Sequence, residues 1–423
     1  MKSLQLFLDS VTHVKFAPNV KFRAISNSAL VTTFAAFSLL CPVTAVAGGK
    51  QMKLLSPTTG WTVRGDALYW TQDNGASWAD ITPVPPGVGR AASKFDNVFF
   101  LNAAEGWAIT AQAAPAPSPF EDTPSLYSIA HTTNGGTSWT FTPLTYPSAG
   151  LEGTTAFPTQ LFFIDSLHGW LSITWAGLTH PGRLMATSDG GQTWTWLETS
   201  GGSGPIVFAT LQDGWQIGNF AQGGLIVTHD GGKNWEQVNP VPPAEAGEAV
   251  YPRFQDPPVF KDSRNGHLVV QYIGGPDTPS KLVVYATSDT GRTWRPTKTV
   301  SEAEVSGGII SFAIADSSII VPFAHGAENT KVKTARLDGG LADLGAAYDS
   351  VSALDFSDTD VGWMMTTDGL QMTRDGGSTW KNITPGGHRP AFKRTPPVKK
   401  INSVGAPRNV AAFQPAAPNA GAQ

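Results

Sequence analysis

The stretch TSDGGQTW, residues 187–194, decides the fold because the chain repeats it. TQDNGASW ends at Trp78, TTNGGTSW at Trp139, THDGGKNW at Trp235, TSDTGRTW at Trp294 and TRDGGSTW at Trp380. Recurrence at intervals of a few tens of residues is the mark of a repeat architecture. Each residue type in the box suits a tight hairpin turn. The Asp189 carboxylate can accept backbone N–H groups across the turn. Gly190 and Gly191 allow positive φ at little steric cost. The threonine hydroxyls can bond nearby backbone, and Trp194 is a large apolar anchor. The equivalent residues are Asp73 and Trp78, Asn134 and Trp139, Asp230 and Trp235, Asp289 and Trp294, and Asp375 and Trp380. Asn134 keeps the acceptor, and Ser77 and Asn234 keep a polar group at the Thr193 position. The box therefore reads as a structural fastener.

A second pattern runs in phase with the first. Gly60-Trp61, Gly106-Trp107, Gly169-Trp170, Gly214-Trp215 and Gly362-Trp363 precede boxes, and Gly266-His267 holds the same place in the fifth unit. Apolar stretches such as LFFIDSLHGW lead into the pair, and further short apolar runs lead into and out of the box. Four short strands per unit with turn signals between them predict propeller blades. The wide gap between Trp294 and Trp380 accommodates a decayed unit, with Asp338-Gly339-Gly340 as its remnant box. The expectation is an all-β, single seven-bladed propeller, with six blades as the alternative.

The pattern S/T-x-D-x-G-x-T-W resembles the Asp-box, or BNR, repeat. Combined with D-x-x-x-G-W in compact units, it most resembles the photosystem II stability/assembly factor family. That resemblance implies a non-enzymatic, exported propeller that helps a membrane protein assemble. It also implies that the box residues lie away from the working face. Sialidases and some endoglucanases share the repeat, so a glycoside hydrolase acting on extracellular glycans is the alternative. The first unit, KLLSPTTGWTVRGDALYW, lacks the F/Y-R-I-P motif that a sialidase would place there. Tyr251-Pro252-Arg253-Phe254 is only vaguely similar, lies after the fourth box, and reads as a loop.

Residues 1–47 have the pattern of an export leader: Lys2, Lys15, Lys21 and Arg23, then an apolar run, then Ala45-Val46-Ala47 as a small-x-small site. The alternative is an uncleaved anchor. Cys41, the only cysteine, would leave with the leader, so disulfides are not expected to stabilise the mature chain. Residues 48–385 form the expected propeller. Residues 386–423 carry six basic and no acidic side chains and read as a disordered tail. With +3 on the leader and +6 on the tail, a whole-chain charge of −4 leaves the body at −13. An acidic body argues against a nucleic-acid partner.

The histidines form no HxH or HExxH pair, and no GxxxxGK loop appears. No metal, cofactor or catalytic residue is assigned. Loops on a rigid scaffold are where binding residues concentrate. The insertions at 111–124 and 239–258 supply the candidate binding residues Phe120, Tyr251, Arg253 and Phe254. The expected product is exported to the periplasm or outside and binds a protein at the cell envelope. Any membrane contact would be indirect or through an uncleaved leader.

Overall fold

The computed structural model describes residues 52–386, except 114–124, 146–155, 176–181, 198–201, 203, 219–223, 247–250, 255, 274–280, 302–312, 316–317, 325–331, 337–341 and 349–350. The leader, Cys41, the tail, Phe120 and the remnant box at Asp338 lie outside the described residues. Among the described residues no helix is long and apolar enough to cross a membrane.

The strands form seven antiparallel sheets, and in each the strands are ordered in space as they are in sequence. These are blade 1 (52–80), blade 2 (93–143), blade 3 (156–196), blade 4 (206–238), blade 5 (251–301), blade 6 (313–348) and blade 7 (351–382). Six blades hold one intact box each, always between the third and fourth strands. Blade 6 is the sheet without one, and it falls in the gap where the decayed unit is expected. The fold is an all-β propeller.

Tyr251–Arg253 is not a loop. It is a strand paired with the second strand of blade 5, with Tyr251 opposite Ile273 and Arg253 opposite Gln271. Val259–Phe260 pairs with the same strand further along, so the blade 5 first strand is interrupted rather than absent. The reason is the length of Gly266–Ile273, which extends beyond Val259–Phe260 and offers a free edge.

The Gly-Trp pair opens the second strand of its blade, and a phenylalanine six residues earlier ends the first. Phe100, Phe163, Phe208, Phe260 and Phe356 stand in this relation to Gly106, Gly169, Gly214, Gly266 and Gly362. The glycine is required by contact: a Cβ on Gly214 would lie 2.5 Å from the Phe208 ring, and one on Gly169 2.6 Å from that of Phe163.

These phenylalanines join neighbouring blades. Trp107 of blade 2 stacks on Phe163 of blade 3 at 3.7 Å and 5°, while Trp194 of blade 3 meets the same ring edge-on at 6.1 Å and 80°. Trp170, Phe208 and Trp235 repeat the arrangement one seam further round. Each of these two seams packs two indoles against one phenyl ring, and aromatic pairs contribute roughly 0.5–1.5 kcal/mol beyond their area.

Blade 1 comes wholly from the start of the described chain and blade 7 wholly from its end, so no sheet is shared between the two ends. Side chains make the closure instead. Asp355 accepts the Lys53 ammonium at 2.7 Å and the Leu54 N–H at 2.6 Å. Trp363 Nε1 donates to Asn74 Oδ1 at 2.8 Å, and Trp78 Nε1 to the Ile383 carbonyl at 2.9 Å. Arg64 reaches the Pro385 carbonyl. Met52, Leu54, Trp78, Trp363, Leu370, Met372 and Ile383 form one buried cluster across this seam.

Candidate functional site

The boxes are built from a fixed set of hydrogen bonds. Asp189 Oδ1 accepts the Thr187 hydroxyl at 2.8 Å and the Thr193 N–H at 2.9 Å, and Oδ2 accepts the Thr193 hydroxyl at 2.5 Å. The Thr187 hydroxyl oxygen in turn accepts the Gly191 N–H at 3.0 Å. Asp73, Asp230, Asp289 and Asp375 repeat this pattern. Asn134 keeps the acceptor, but its Nδ2 donates to the Ser138 hydroxyl, reversing one bond.

The electrostatics follow. At Asp189 burial pushes the pKa up, but the Thr193 hydroxyl and N–H and the Thr187 hydroxyl hold it down at about 2. The Thr293 hydroxyl does the same for Asp289 and the Thr379 hydroxyl for Asp375, each at about 2. A carboxylate fixed in this way is a poor proton donor or acceptor near neutrality.

The fourth and fifth box residues take positive φ: 75° and 89° at Gly190 and Gly191, 53° and 80° at Asn74 and Gly75. The N–H of the fourth residue bonds the turn between the first and second strands of its own blade, as Gly190 does to the Leu167 carbonyl at 2.9 Å. Both turns therefore sit at one end of each of the six blades that hold an intact box.

That placement divides the ring into two faces. In an antiparallel four-strand sheet, the second-to-third turn and the link to the next blade emerge at the end opposite the boxes. The segments 114–124, 274–280 and 325–331 are second-to-third connections, and 146–155, 239–250 and 302–312 link blades. The strand ends that flank these segments thus lie at the end opposite the boxes. Arg253 is exposed on the first strand of blade 5. Phe254 is not a surface residue: it is 6% exposed and packs in the core with Trp215, Leu268 and Tyr272. The Tyr251 side chain is not among the described ones.

The inner strands show what the axis offers near the box end. First strands of neighbouring blades approach one another. The partly exposed residue just before the seam phenylalanine, or before Leu54 in blade 1, is Lys53, Phe99, Phe162, Val207 and Asp355 in five of the blades. Phe99 and Phe162 touch across a seam at 5.4 Å. The one carboxylate in this set is engaged by Lys53 and the Leu54 N–H. No group of three or more His, Cys, Asp or Glu among the described residues is placed to hold a metal.

Reading the sequence missed the seam sandwich, although the six-residue offset from Phe to Gly-Trp was visible in four units and from Phe260 to Gly266-His267 in a fifth. It also missed the acid–histidine contacts beside the boxes: His229 Nδ1 lies 2.7 Å from Asp213, and His131 Nε2 3.2 Å from Glu105.

No protein-family model matches the chain, and no curated protein matches it. Among solved structures it is similar to an uncharacterised protein from Listeria monocytogenes, at 9% identity over 81% of this chain and 97% of that one, with a TM-score of 0.49. It is also similar to the β-propeller domain of the Trilobed protease from Pyrococcus furiosus, at 10% identity over 81% and 97%, TM-score 0.43. An ulvan lyase of a polysaccharide lyase family matches at 10% identity over 80% and 96%, TM-score 0.44. The class stated here, a β-propeller, rests on the chain's own seven sheets.

Proposed function

We propose that this chain is an exported, non-catalytic Asp-box propeller that binds a protein partner through the face bearing its insertions. The observation behind this reading is the division of labour between the two ends of the blades. At one end the polar side chains of the six boxes bond their own turns, and adjacent blades interlock through aromatic rings. At the other end the chain departs from minimal turns in both kinds of connection. A rigid ring with variable loops on one face is the arrangement in which binding is separated from folding. The resemblance to the photosystem II stability/assembly factor family supplies the kind of role: support of an envelope or membrane protein complex.

The test is crosslinking of the tagged full chain in the envelope of its own organism. Wild type would be compared with a variant in which 114–124 is replaced by a short Gly-Ser turn. A partner captured by wild type and lost on loop replacement, with the melting transition retained, is the expected result. Turnover of a chromogenic glycoside that disappears when an axial carboxylate is changed would overturn the reading and make the protein a hydrolase.

A further inference from the structure

The seam between blades 4 and 5 carries an open groove beside its box. At three seams the residue three places after the box tryptophan plugs the space beneath the next box. A Cβ on Gly75 would lie 2.5 Å from Ile383 Cδ1, one on Gly136 2.6 Å from Ile81 Cδ1, and one on Gly232 2.9 Å from Leu197 Cδ1. At Gly291 the equivalent plug is the shorter Val238, and the nearest atoms belong instead to Trp215 and Trp294. A groove of about 280 Å³ remains, lined by Val238, Pro240, Val241 and Trp294, with His229, Glu236 and Arg292 at its rim.

Two further features bear on this seam. Trp107, Trp170 and Trp363 donate their indole N–H across their seams, and Trp194, Trp235 and Trp380 donate within their own boxes. Trp215 and Trp294 both have buried indole nitrogens without a protein acceptor, as does Trp61 in blade 1, and of the three Trp294 lines the groove. Thr290, the fourth box residue, holds φ at +61°, where four of the other five boxes place glycine and the remaining one Asn74. Strained, β-branched positive-φ residues persist where surrounding structure imposes them, and such sites cluster at places of binding.

We propose that this groove binds a single pyranose unit of a glycan. The volume falls just below the usual range for ligand sites, so it suits one ring rather than a chain. The walls from Val238, Pro240, Val241 and Trp294 match the C–H faces of a sugar. The rim matches its hydroxyls. Asp213 engages His229 Nδ1, which leaves Nε2 facing Glu236 Oε1 across 3.8 Å. That gap is too wide for a hydrogen bond. Adjacent hydroxyls can fill it by donating one to Nε2 and one to the carboxylate, while Arg292 donates to hydroxyl oxygens. Two carboxylates against one guanidinium disfavour an anionic ligand. The proposal does not depend on the protein-binding reading above.

The test follows indole ¹H–¹⁵N resonances of the full chain during titration with the methyl pyranosides of glucose, galactose and mannose and with N-acetylglucosamine. Trp294→Phe assigns the reporter signal. The expected result is a saturable shift of that signal with at least one sugar. Val238→Leu, which supplies the plug found at Leu197, should weaken the apparent Kd about tenfold or more, with the melting midpoint unchanged or higher. If Val238→Leu melts lower than wild type, the exposed change Glu236→Gln asks the same question and should also weaken binding. No saturable shift with any of the four sugars, or an unchanged Kd in the well-folded plug variant, would overturn the proposal.

Discussion

A single oxygen-for-nitrogen difference separates the second box from the other five. Asn134 donates to Ser138 where Asp73 accepts from Ser77 at 2.5 Å. Asn134→Asp should restore the charge-assisted bond and raise stability by about 0.5–1.5 kcal/mol at neutral pH, measured by urea denaturation; a lower midpoint would contradict it. The same logic sets the acid response. The folded pKa values of about 2 at Asp189, Asp289 and Asp375 lie below the ordinary 3.8. The stability they contribute is therefore present above pH 3.8 and lost as the pH falls towards 2. Melting temperature should decline between about pH 4 and pH 2, and less steeply in Asp189→Asn. An equal slope in that variant would show that other groups govern acid unfolding. Thr290 is the backbone outlier at the same scale. Thr290→Gly should stabilise by about 1 kcal/mol by relieving the positive-φ clash, read as a raised midpoint; a fall would mean its side chain makes compensating contacts.

At the scale of the element, the seam is the unit of stability. Phe163 touches Trp107 face-on and Trp194 edge-on and is 1% exposed. Phe163→Ala should cost about 3–5 kcal/mol. Gly214→Ala should cost about 1–3 kcal/mol by overpacking the Phe208 ring. A loss below 1 kcal/mol in either case, by chemical denaturation, would show that the stack can repack. Much of this element was legible in advance. Box, Gly-Trp pair and four-strand rhythm are written in residues that do one local job each. The seam partner was harder to read because it joins residues from two repeats: nothing within one unit says that Phe163 packs under Trp107. Tyr251–Arg253 was misread because it lies in an insertion after the fourth box, while its pairing is decided by a strand that comes later in the chain. Phe254 was read as a loop aromatic for the same reason, and its burial follows once that strand is in place.

At the scale of the whole molecule, the closing seam differs from a strand-sharing closure in having only side chains to hold it. Asp355→Asn removes the charge opposite Lys53 and weakens the bond to the Leu54 N–H. The pair is partly exposed, so a loss of about 1 kcal/mol is expected. The diagnostic is local: hydrogen exchange should quicken in Met52–Leu54 and Val351–Phe356 more than in Gly169–Trp175. Uniform quickening would mean that the ring opens only by global unfolding. The faces of the ring were legible only in part, since alternation and turn signals give strand direction, whereas the axial set Lys53, Phe99, Phe162, Val207 and Asp355 emerges only when blades are set side by side.

Because every sheet is made from consecutive strands, the chain could begin at any blade of the ring without breaking one. A circular permutant that joins residue 386 to residue 52 through a flexible linker and opens the chain at 198–205 would break no sheet. It would turn the closing seam into an ordinary covalent neighbour and move the chain ends to the junction of blades 3 and 4. The ring has one place where it is stitched rather than threaded, and that place can be relocated by design.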